Sequence, residues 1–246
     1  MPIFYRLDDE DSFEEPRFIP SRGGSPNRFS SSSSSSSRGP SRSSISAPKL
    51  TSPNADGYKL VCYYTNWSQY RPKKGKFLPE DIDPHLCTHV IFAFGWIKDG
   101  RLTSFEANDV SGDGKLGTLQ YFTQMFFFCP FVLISGLYQR VVGLKATNPS
   151  LKVMLAIGGW SFGTSKFKEV AETRFSRQTF IFSAIPFLRK HNFDGLDVDW
   201  EYPKAADKEN FVAYLKELRE AFEFEAEETG NDKLLLSAAV PVGNAI

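Results

Sequence analysis

Short apolar runs alternate with longer amphipathic stretches along most of this chain. Five runs rich in β-branched and aromatic residues have the length of buried strands: 58–64, 88–94, 151–157, 195–200 and 234–240. Between the later runs, apolar residues recur every three or four positions over 177–191 and 207–228, which predicts amphipathic helices. The alternation predicts a parallel α/β sheet with helical crossovers, either doubly wound or closed as a (β/α)8 barrel.

One of these runs, within FDGLDVDWEYP (193–203), carries acids where a buried strand is predicted. Asp197, Asp199 and Glu201 are two positions apart, so they lie on one face of a strand at about 7 Å per step. In a barrel that face points inward, and its carboxyl end is the mouth where active sites lie. A single inward acid is usually a satisfied core residue, but three crowded carboxylates are costly without a use because each raises the pKa of the next. A protonated Glu201 could then serve as a general acid.

Composition and charge narrow the range of partners. The 246 residues are 41% hydrophobic with a formal net charge of zero, so no basic field attracts nucleic acid or anionic lipid, and we expect a neutral partner. Neither a GxGxxG turn nor a P-loop follows any strand, which counts against a nucleotide-binding α/β protein. His85, His89 and His191 show no metal-ligand spacing, so we expect neither a metal nor a cofactor.

The first 56 residues differ in composition from the rest. They are rich in Ser, Pro, Arg and Gly with few core-forming residues, so residues 1–56 are predicted to be a disordered tail. The start of the chain has no basic stretch followed by an apolar one, so no signal peptide is visible. The folded part is therefore assigned to residues 57–246.

Several motifs in this folded part resemble the chitinase-type glycoside hydrolases of family 18, and among them the arthropod-type chitinases. The family's DxxDxDxE signature is matched by DGLDVDWE, from Asp194 to Glu201. LAIGGWSFGT (155–164) matches a second signature, and YKLVCYYTNWSQYR and LCTHVIFAFGW match the first two barrel strands. The resemblance covers roughly residues 57–246 and implies the N-terminal part of a (β/α)8 TIM barrel.

The resemblance implies retaining hydrolysis of β-1,4-linked N-acetylglucosamine in chitin or chitooligosaccharides, without an enzyme nucleophile. Glu201 would protonate the glycosidic oxygen while the substrate's own N-acetyl carbonyl attacks the anomeric carbon. Asp199 would orient the acetamido group, Asp197 would share a proton with Asp199, and Asp194 would support the cluster from the barrel interior. The alternative is a chitinase-like lectin that binds the oligosaccharide without cleaving it. Such relatives usually lose the acid, whereas Glu201 is present here.

Aromatic residues near the strand ends form the predicted sugar-binding surface, because the apolar faces of pyranose rings pack on aromatic planes. Plain core packing is an equal alternative for Phe94. Gly158 is expected to permit close backbone approach at the third strand turn. We expect the Asn66-Trp67-Ser68 sequon to carry no glycan, since one would obstruct the cleft. The predicted substrate-binding residues are Tyr63, Trp67, Phe94, Gly159, Trp160 and Tyr202.

The chain has three cysteines, and the family resemblance pairs Cys62 with Cys87 in a disulfide. It also implies a protein that is extracellular, or attached to a membrane and facing outside. Cys129 lies in 118–136, TLQYFTQMFFFCPFVLISG, which has no counterpart in the family pattern. Codons for these residues can spell a pyrimidine tract ending in TCAG, so we interpret 118–136 as translated intron. The alternatives are a genuine barrel helix with an insertion, or a transmembrane helix, for which the apolar core is short and contains Pro130.

The length of the folded part sets a last expectation. A (β/α)8 barrel needs about 250 residues, so strands 1 to 5 can be present and strands 6 to 8 cannot. We expect Ile246 to be a truncation, with the family's strand 6 Tyr and Asp and its strand 8 Trp lying beyond it. We also expect a monomer. Activity of this chain by itself is a separate question from the activity of the family.

Overall fold

Five parallel strands and one antiparallel strand form a single sheet. The computed structural model describes residues 57–110 and 135–241. The strands in these ranges are β1 (Val61–Thr65), β2 (His89–Lys98), β3 (Arg101–Ser104), β4 (Lys152–Gly158), β5 (Gly195–Asp199) and β6 (Leu235–Ala238). β1, β2, β4, β5 and β6 lie side by side in that order and all run parallel, while β3 pairs antiparallel with β2. The predicted parallel sheet is confirmed, and its five parallel strands fall at the five predicted runs.

Helices follow the strands as the amphipathic pattern predicts. They are α1 (Ala107–Val110), α2 (Leu137–Val142), α3 (Ser165–Ala171), α4 (Arg174–Lys190) and α5 (Lys208–Thr229). The two longest, α4 and α5, are the two helices predicted from the sequence. The Thr173 hydroxyl accepts a hydrogen bond from the Ser176 amide at the start of α4. Gly230 ends α5 in the left-handed conformation, with φ of 70°.

The two faces of the sheet have different roles. On one face, Leu196 and Val198 of β5 join the large apolar core shared with the helices. On the other face, Ile91, Met154 and Ala156 form a small separate cluster. Asp197 lies on this second face, against Ile91 and Met154. The alternation of β5 therefore puts its acids on the side opposite the helices, which is the inner side in a barrel.

A disulfide joins β1 to the segment that precedes β2. It links Cys62 and Cys87, whose Cα atoms are 6.2 Å apart, and it confirms the pairing expected from the family resemblance. In the described part of the chain, β1 and β6 are the two outer strands of the parallel set.

Several expectations concern residues outside the described ranges. They are the disordered tail at 1–56, the translated intron at 118–136 apart from its last two residues, and Cys129. Among the residues that are described, no helix has both the length and the apolar character needed to cross a membrane.

Candidate functional site

Asp197 is the most deeply buried acid of the predicted cluster. It lies in the middle of β5, where its Oδ2 accepts a hydrogen bond from the Tyr63 hydroxyl at 2.7 Å. Its Oδ1 accepts a second hydrogen bond from the Ser237 hydroxyl at 2.6 Å. Burial raises the pKa of Asp197, and the two hydrogen bonds act against that rise. Because β2 and β4 separate β1 from β5 in the sheet, the bond to Tyr63 requires a strongly curved sheet.

Ser237 was not predicted as a site residue. The only signal in the sequence is one polar residue inside the apolar run LLLSAAV of β6. A serine in that position is compatible with many strands, so its partner became visible only with the register of β5 against β6, in which Asp197 lies opposite Ser237.

Asp199 ends β5 and has the most perturbed carboxyl group of the cluster. Burial raises its pKa to about 7, aided by the charges of Glu201 and Asp197 and by a hydrogen bond with Glu201. The sequence predicted a protonated Glu201, and the raised pKa of Asp199 adds a second acid of this row that can carry a proton near neutral pH. Its Oδ1 is buried and has no hydrogen-bond partner among the described residues. No group of three or more His, Cys, Asp or Glu side chains in the same ranges is arranged to hold a metal ion.

Glu201 lies just beyond β5 and faces an open pocket of about 380 Å³. A cis peptide bond joins it to Tyr202. The pocket is lined by Tyr63, Thr65, Ala93, Phe94, Asp199, Glu201, Tyr202, Ala239, Val240 and Pro241. Two of the three predicted catalytic acids and three of the predicted sugar-binding residues therefore meet at one pocket.

Trp67 and Trp160, the other predicted aromatic residues, are not among the residues that line this pocket. Trp67, 44% exposed, stacks on Phe94 with ring centroids 5.9 Å apart and planes 20° apart. Phe94 is half-buried and lines the pocket, so it belongs to the site as well as to the packing. Trp160, 78% exposed, lies two residues after the end of β4.

Gly158 and Gly159 bring the end of β4 against the backbone of β5. Both have positive φ, 113° and 84°. A Cβ on Gly158 would lie 2.0 Å from the carbonyl oxygen of Asp199, and one on Gly159 would lie 2.6 Å from the Phe94 ring. The Gly159 amide donates a hydrogen bond to that same Asp199 carbonyl at 2.9 Å. The close approach expected at this turn is thus a contact with the backbone of Asp199.

The structure corrects the role expected for Asp194. We expected it to support the acidic cluster from the barrel interior, but it precedes β5, at the end of the strand away from Glu201. Its Oδ2 accepts hydrogen bonds from Lys145 Nζ at 3.0 Å and from the Val153 amide at 2.6 Å. Asp194 is therefore structural, because it ties β5 to β4 at the amino-terminal edge of the sheet.

Comparison with known proteins identifies the family. The model of glycosyl hydrolases family 18 matches residues 59–245. Chitotriosidase-1 of Mus musculus is 46% identical over 188 residues, which cover 74% of this chain and 35% of the relative. A probable endochitinase of Caenorhabditis elegans is 45% identical and is covered to 28%. The chain thus spans about a third of the length of these curated relatives.

Solved structures show the same fold. An immunomodulatory active chitinase from Trichuris suis aligns with a TM-score of 0.61 and 37% identity, over 72% of this chain and 42% of that one. Human YKL-39, described as a pseudo-chitinase with retained chitooligosaccharide binding, aligns with a TM-score of 0.62 and 40% identity, over 74% and 43%. These neighbours are (β/α)8 barrels, and the described strands form an unclosed part of such a barrel. The chain belongs to family 18 of the glycosyl hydrolases.

Proposed function

We propose that the protein carrying this chain is a chitinase, which cleaves β-1,4 linkages between N-acetylglucosamine units by a retaining, substrate-assisted mechanism. The observation that carries the proposal is the acidic row of β5, in which Asp199 has a pKa of about 7 and shares the mouth of the sheet with Glu201. Family membership and the aromatic rings around the pocket support the same chemistry.

Glu201 is the general acid and base of the proposed reaction. It donates a proton to the glycosidic oxygen as the bond from that oxygen to the anomeric carbon breaks. The carbonyl oxygen of the substrate's own N-acetyl group forms the new bond to this carbon, which gives an oxazolinium ion. Glu201 then takes a proton from water as the water oxygen attacks the same carbon and the ring opens. The acid is regenerated, and two displacements at one carbon give net retention.

Asp199 and Asp197 stabilise the oxazolinium intermediate, whereas Glu201 acts on the leaving group. The buried Oδ1 of Asp199, which lacks a partner among the described residues, is suited to accept a hydrogen bond from the acetamido N–H of the substrate. As positive charge develops on the oxazolinium ring, an ionised Asp199 stabilises it. Asp197 is buried with a raised pKa, so it can take up the proton that Asp199 releases.

Sugar rings pack on the aromatic surface beside the acids. Tyr63, Phe94 and Tyr202 line the pocket itself, and Trp67 extends the surface by one ring beyond Phe94. Gly159 leaves room for the Phe94 ring, and Trp160 presents a largely exposed face to solvent. Apolar ring faces of the substrate match these planes, and its hydroxyl groups remain free for polar partners.

The test is hydrolysis of a fluorogenic chitooligosaccharide by the full-length protein, with Glu201→Gln as the matched control. The amide has the size of the acid but carries no transferable proton, so we expect a loss of at least about a hundredfold in kcat while oligosaccharide binding persists. Equal rates in the two proteins would refute the role of Glu201.

A chitooligosaccharide-binding lectin is the second candidate. It is favoured by the likeness to human YKL-39, which is described as retaining chitooligosaccharide binding as a pseudo-chitinase. The intact Glu201, Asp199 and Asp197 favour hydrolysis. Binding of chitooligosaccharide by the full-length protein without release of the fluorophore would establish the lectin.

We further propose that the protein works as an extracellular monomer, either secreted or held on a membrane facing outside. The Cys62–Cys87 disulfide supports an oxidising compartment. Size-exclusion chromatography with light scattering tests the monomer, and immunodetection in medium and cell fractions tests the location. A dimer, or a protein found only inside cells with reduced cysteines, would overturn these two points.

A further inference from the structure

A fully buried pair of polar residues, Asn66 and Asp109, joins two distant segments near the sugar-binding surface. Asn66 opens the 3-10 turn Asn66–Tyr70 that follows β1, and Asp109 lies in α1. Asn66 Nδ2 donates a hydrogen bond to Asp109 Oδ1 at 3.3 Å. Asp109 Oδ2 accepts the Glu106 amide at 2.7 Å, so one carboxylate holds both segments.

Three further hydrogen bonds hold the same turn. Asn108 Nδ2 donates to Gln69 Oε1 at 2.8 Å, and the Tyr70 hydroxyl donates to the Glu106 carboxylate. Gln69 Nε2 donates to the carbonyl of Asn66 at 2.9 Å. The turn is therefore fixed to the α1 segment at its first, fourth and fifth residues.

Trp67 is the second residue of this turn, between Asn66 and Ser68, which are both buried. Trp67 is 44% exposed, and among the described residues its ring stacks on Phe94. One stacking contact of this kind is too weak to fix a loop by itself. The direction in which the ring points is set by the backbone that Asn66 anchors.

Burying the carboxyl group of Asp109 is energetically unfavourable, so packing alone does not account for it. Burial raises its pKa to about 6, so at neutral pH it is a buried carboxylate. The ionisable groups that interact with it include one acid and three phenols, namely Glu106, Tyr64, Tyr70 and Tyr138. The Asn66 amide is its hydrogen-bond donor from the turn, which also makes that amide inaccessible to glycosylation in the folded chain.

We propose that Asp109 is a positioning residue for oligosaccharide binding: by holding Asn66, it fixes the turn that presents Trp67 to the sugar. Its effect passes through Asn66 and the backbone of the turn. The identity of the ligand rests on the proposed function, whereas the ordering of the Trp67 ring does not depend on it.

The binding test uses chitohexaose and the full-length protein. Asp109→Ala and Asn66→Ala break the same hydrogen bond from opposite sides, and each is expected to weaken binding about tenfold. Either variant combined with Trp67→Ala should bind no more weakly than Trp67→Ala alone, because the loss acts through that ring. Asp109→Asn should restore most of the affinity, since its oxygen can accept the Glu106 amide while its NH2 group donates to Oδ1 of Asn66 once the Asn66 amide is rotated by half a turn.

Asp81→Ala is the matched control. Asp81 Oδ2 accepts a hydrogen bond at 2.8 Å from the amide of Leu78, three residues earlier, just as Asp109 accepts one from the amide of Glu106. Unlike Asp109, Asp81 is exposed and makes no hydrogen bond with Asn66 in the described structure. Its loss should leave chitohexaose affinity unchanged. A tenfold loss in this control would show that removing such a cap disturbs binding nonspecifically, and would overturn the proposal.

A second readout needs no sugar. The indole ¹⁵N–¹H resonance of Trp67, assigned by its absence in Trp67→Phe, should shift or broaden in Asp109→Ala and Asn66→Ala while the other indoles stay in place. An unchanged Trp67 resonance, affinity losses that add to that of Trp67→Ala, or loss of the fold in both variants would each overturn the proposal. If the wild-type protein does not bind chitohexaose, the proposed function fails, and the indole spectra still decide the positioning role.

Discussion

At the scale of single residues, position on β5 decides what each acid does. Asp194, Asp197 and Asp199 have the same side chain in one short segment, yet one is paired with Lys145, one is bonded to two hydroxyls, and one has a pKa of about 7. The differences follow from burial and partners, which the sequence does not contain. The DxxDxDxE spacing was enough to predict that Asp197 and Asp199 share a face, but not how burial and partners shift the pKa of each.

Asp199 is expected to titrate near neutral pH. Carboxyl ¹³C chemical shifts of Asp-labelled protein, followed from pH 4 to 9, should show one aspartate with a midpoint at about 7. This transition should vanish in Asp199→Asn. In Glu201→Gln it should move to lower pH, because a neighbouring negative charge is removed. A midpoint for Asp199 near its ordinary value would contradict the burial argument.

Gly158→Ala should destabilise the fold by more than about 2 kcal/mol, because a Cβ there would lie 2.0 Å from a backbone carbonyl that cannot turn away. Gly163→Ala is the control, since Gly163 also has positive φ, 73°, but a Cβ there meets nothing within 4 Å. It should cost only the conformational strain, about 1 kcal/mol. Urea denaturation measures both, and equal losses would show that the contact with Asp199 is unimportant.

At the scale of elements, periodicity was a good guide to the parallel strands and to the two long helices, whose apolar faces pack on the sheet. It failed for β3, which has four residues and one buried position. The turn Asp99-Gly100, both with positive φ, is a hairpin signal that could have revealed it. Asn66 and Asp109 were beyond prediction, because their pairing depends on how a turn and a short helix meet across 43 positions.

The disulfide should be the strongest local constraint on the β1 edge. It closes a loop with a sequence separation of 25, for which chain entropy predicts about 3.5 kcal/mol of stabilisation. Cys62→Ser with Cys87→Ser should therefore lower the urea midpoint and steepen the slope, because the unfolded chain without the crosslink exposes more surface. The comparison is best made in a Cys129→Ser background to prevent thiol exchange, and an unaltered midpoint would refute the estimate.

At the scale of the whole molecule, buried acids link folding to pH. The pKa of Asp109 is about 6 and that of Asp199 about 7 in the folded chain, both above the unfolded value. The folded chain therefore keeps protons that the unfolded chain releases, and this source of stability is lost as pH rises through 6 and 7. The pKa values of Glu80 and Glu225 are lowered by their hydrogen bonds with Arg140 and Arg189, so stability from these groups is lost only in stronger acid.

The free energy of unfolding should accordingly be higher at pH 5.5 than at pH 8, with about 1 kcal/mol from Asp109 alone. Urea titrations at the two pH values measure the difference. Asp109→Asn should reduce it, and a chain that is more stable at pH 8 would contradict the assignment.

The hydrogen bond from the Gly159 amide to the Asp199 carbonyl has a practical meaning for protein engineers. This hydrogen bond joins the glycine-rich turn after β4 to the acidic strand β5. If the DGLDVDWE segment alone were transplanted onto another scaffold, the carbonyl of Asp199 would lose this donor. A graft designed to keep the geometry of the acids must therefore include both the Gly158–Gly159 turn and the DGLDVDWE segment.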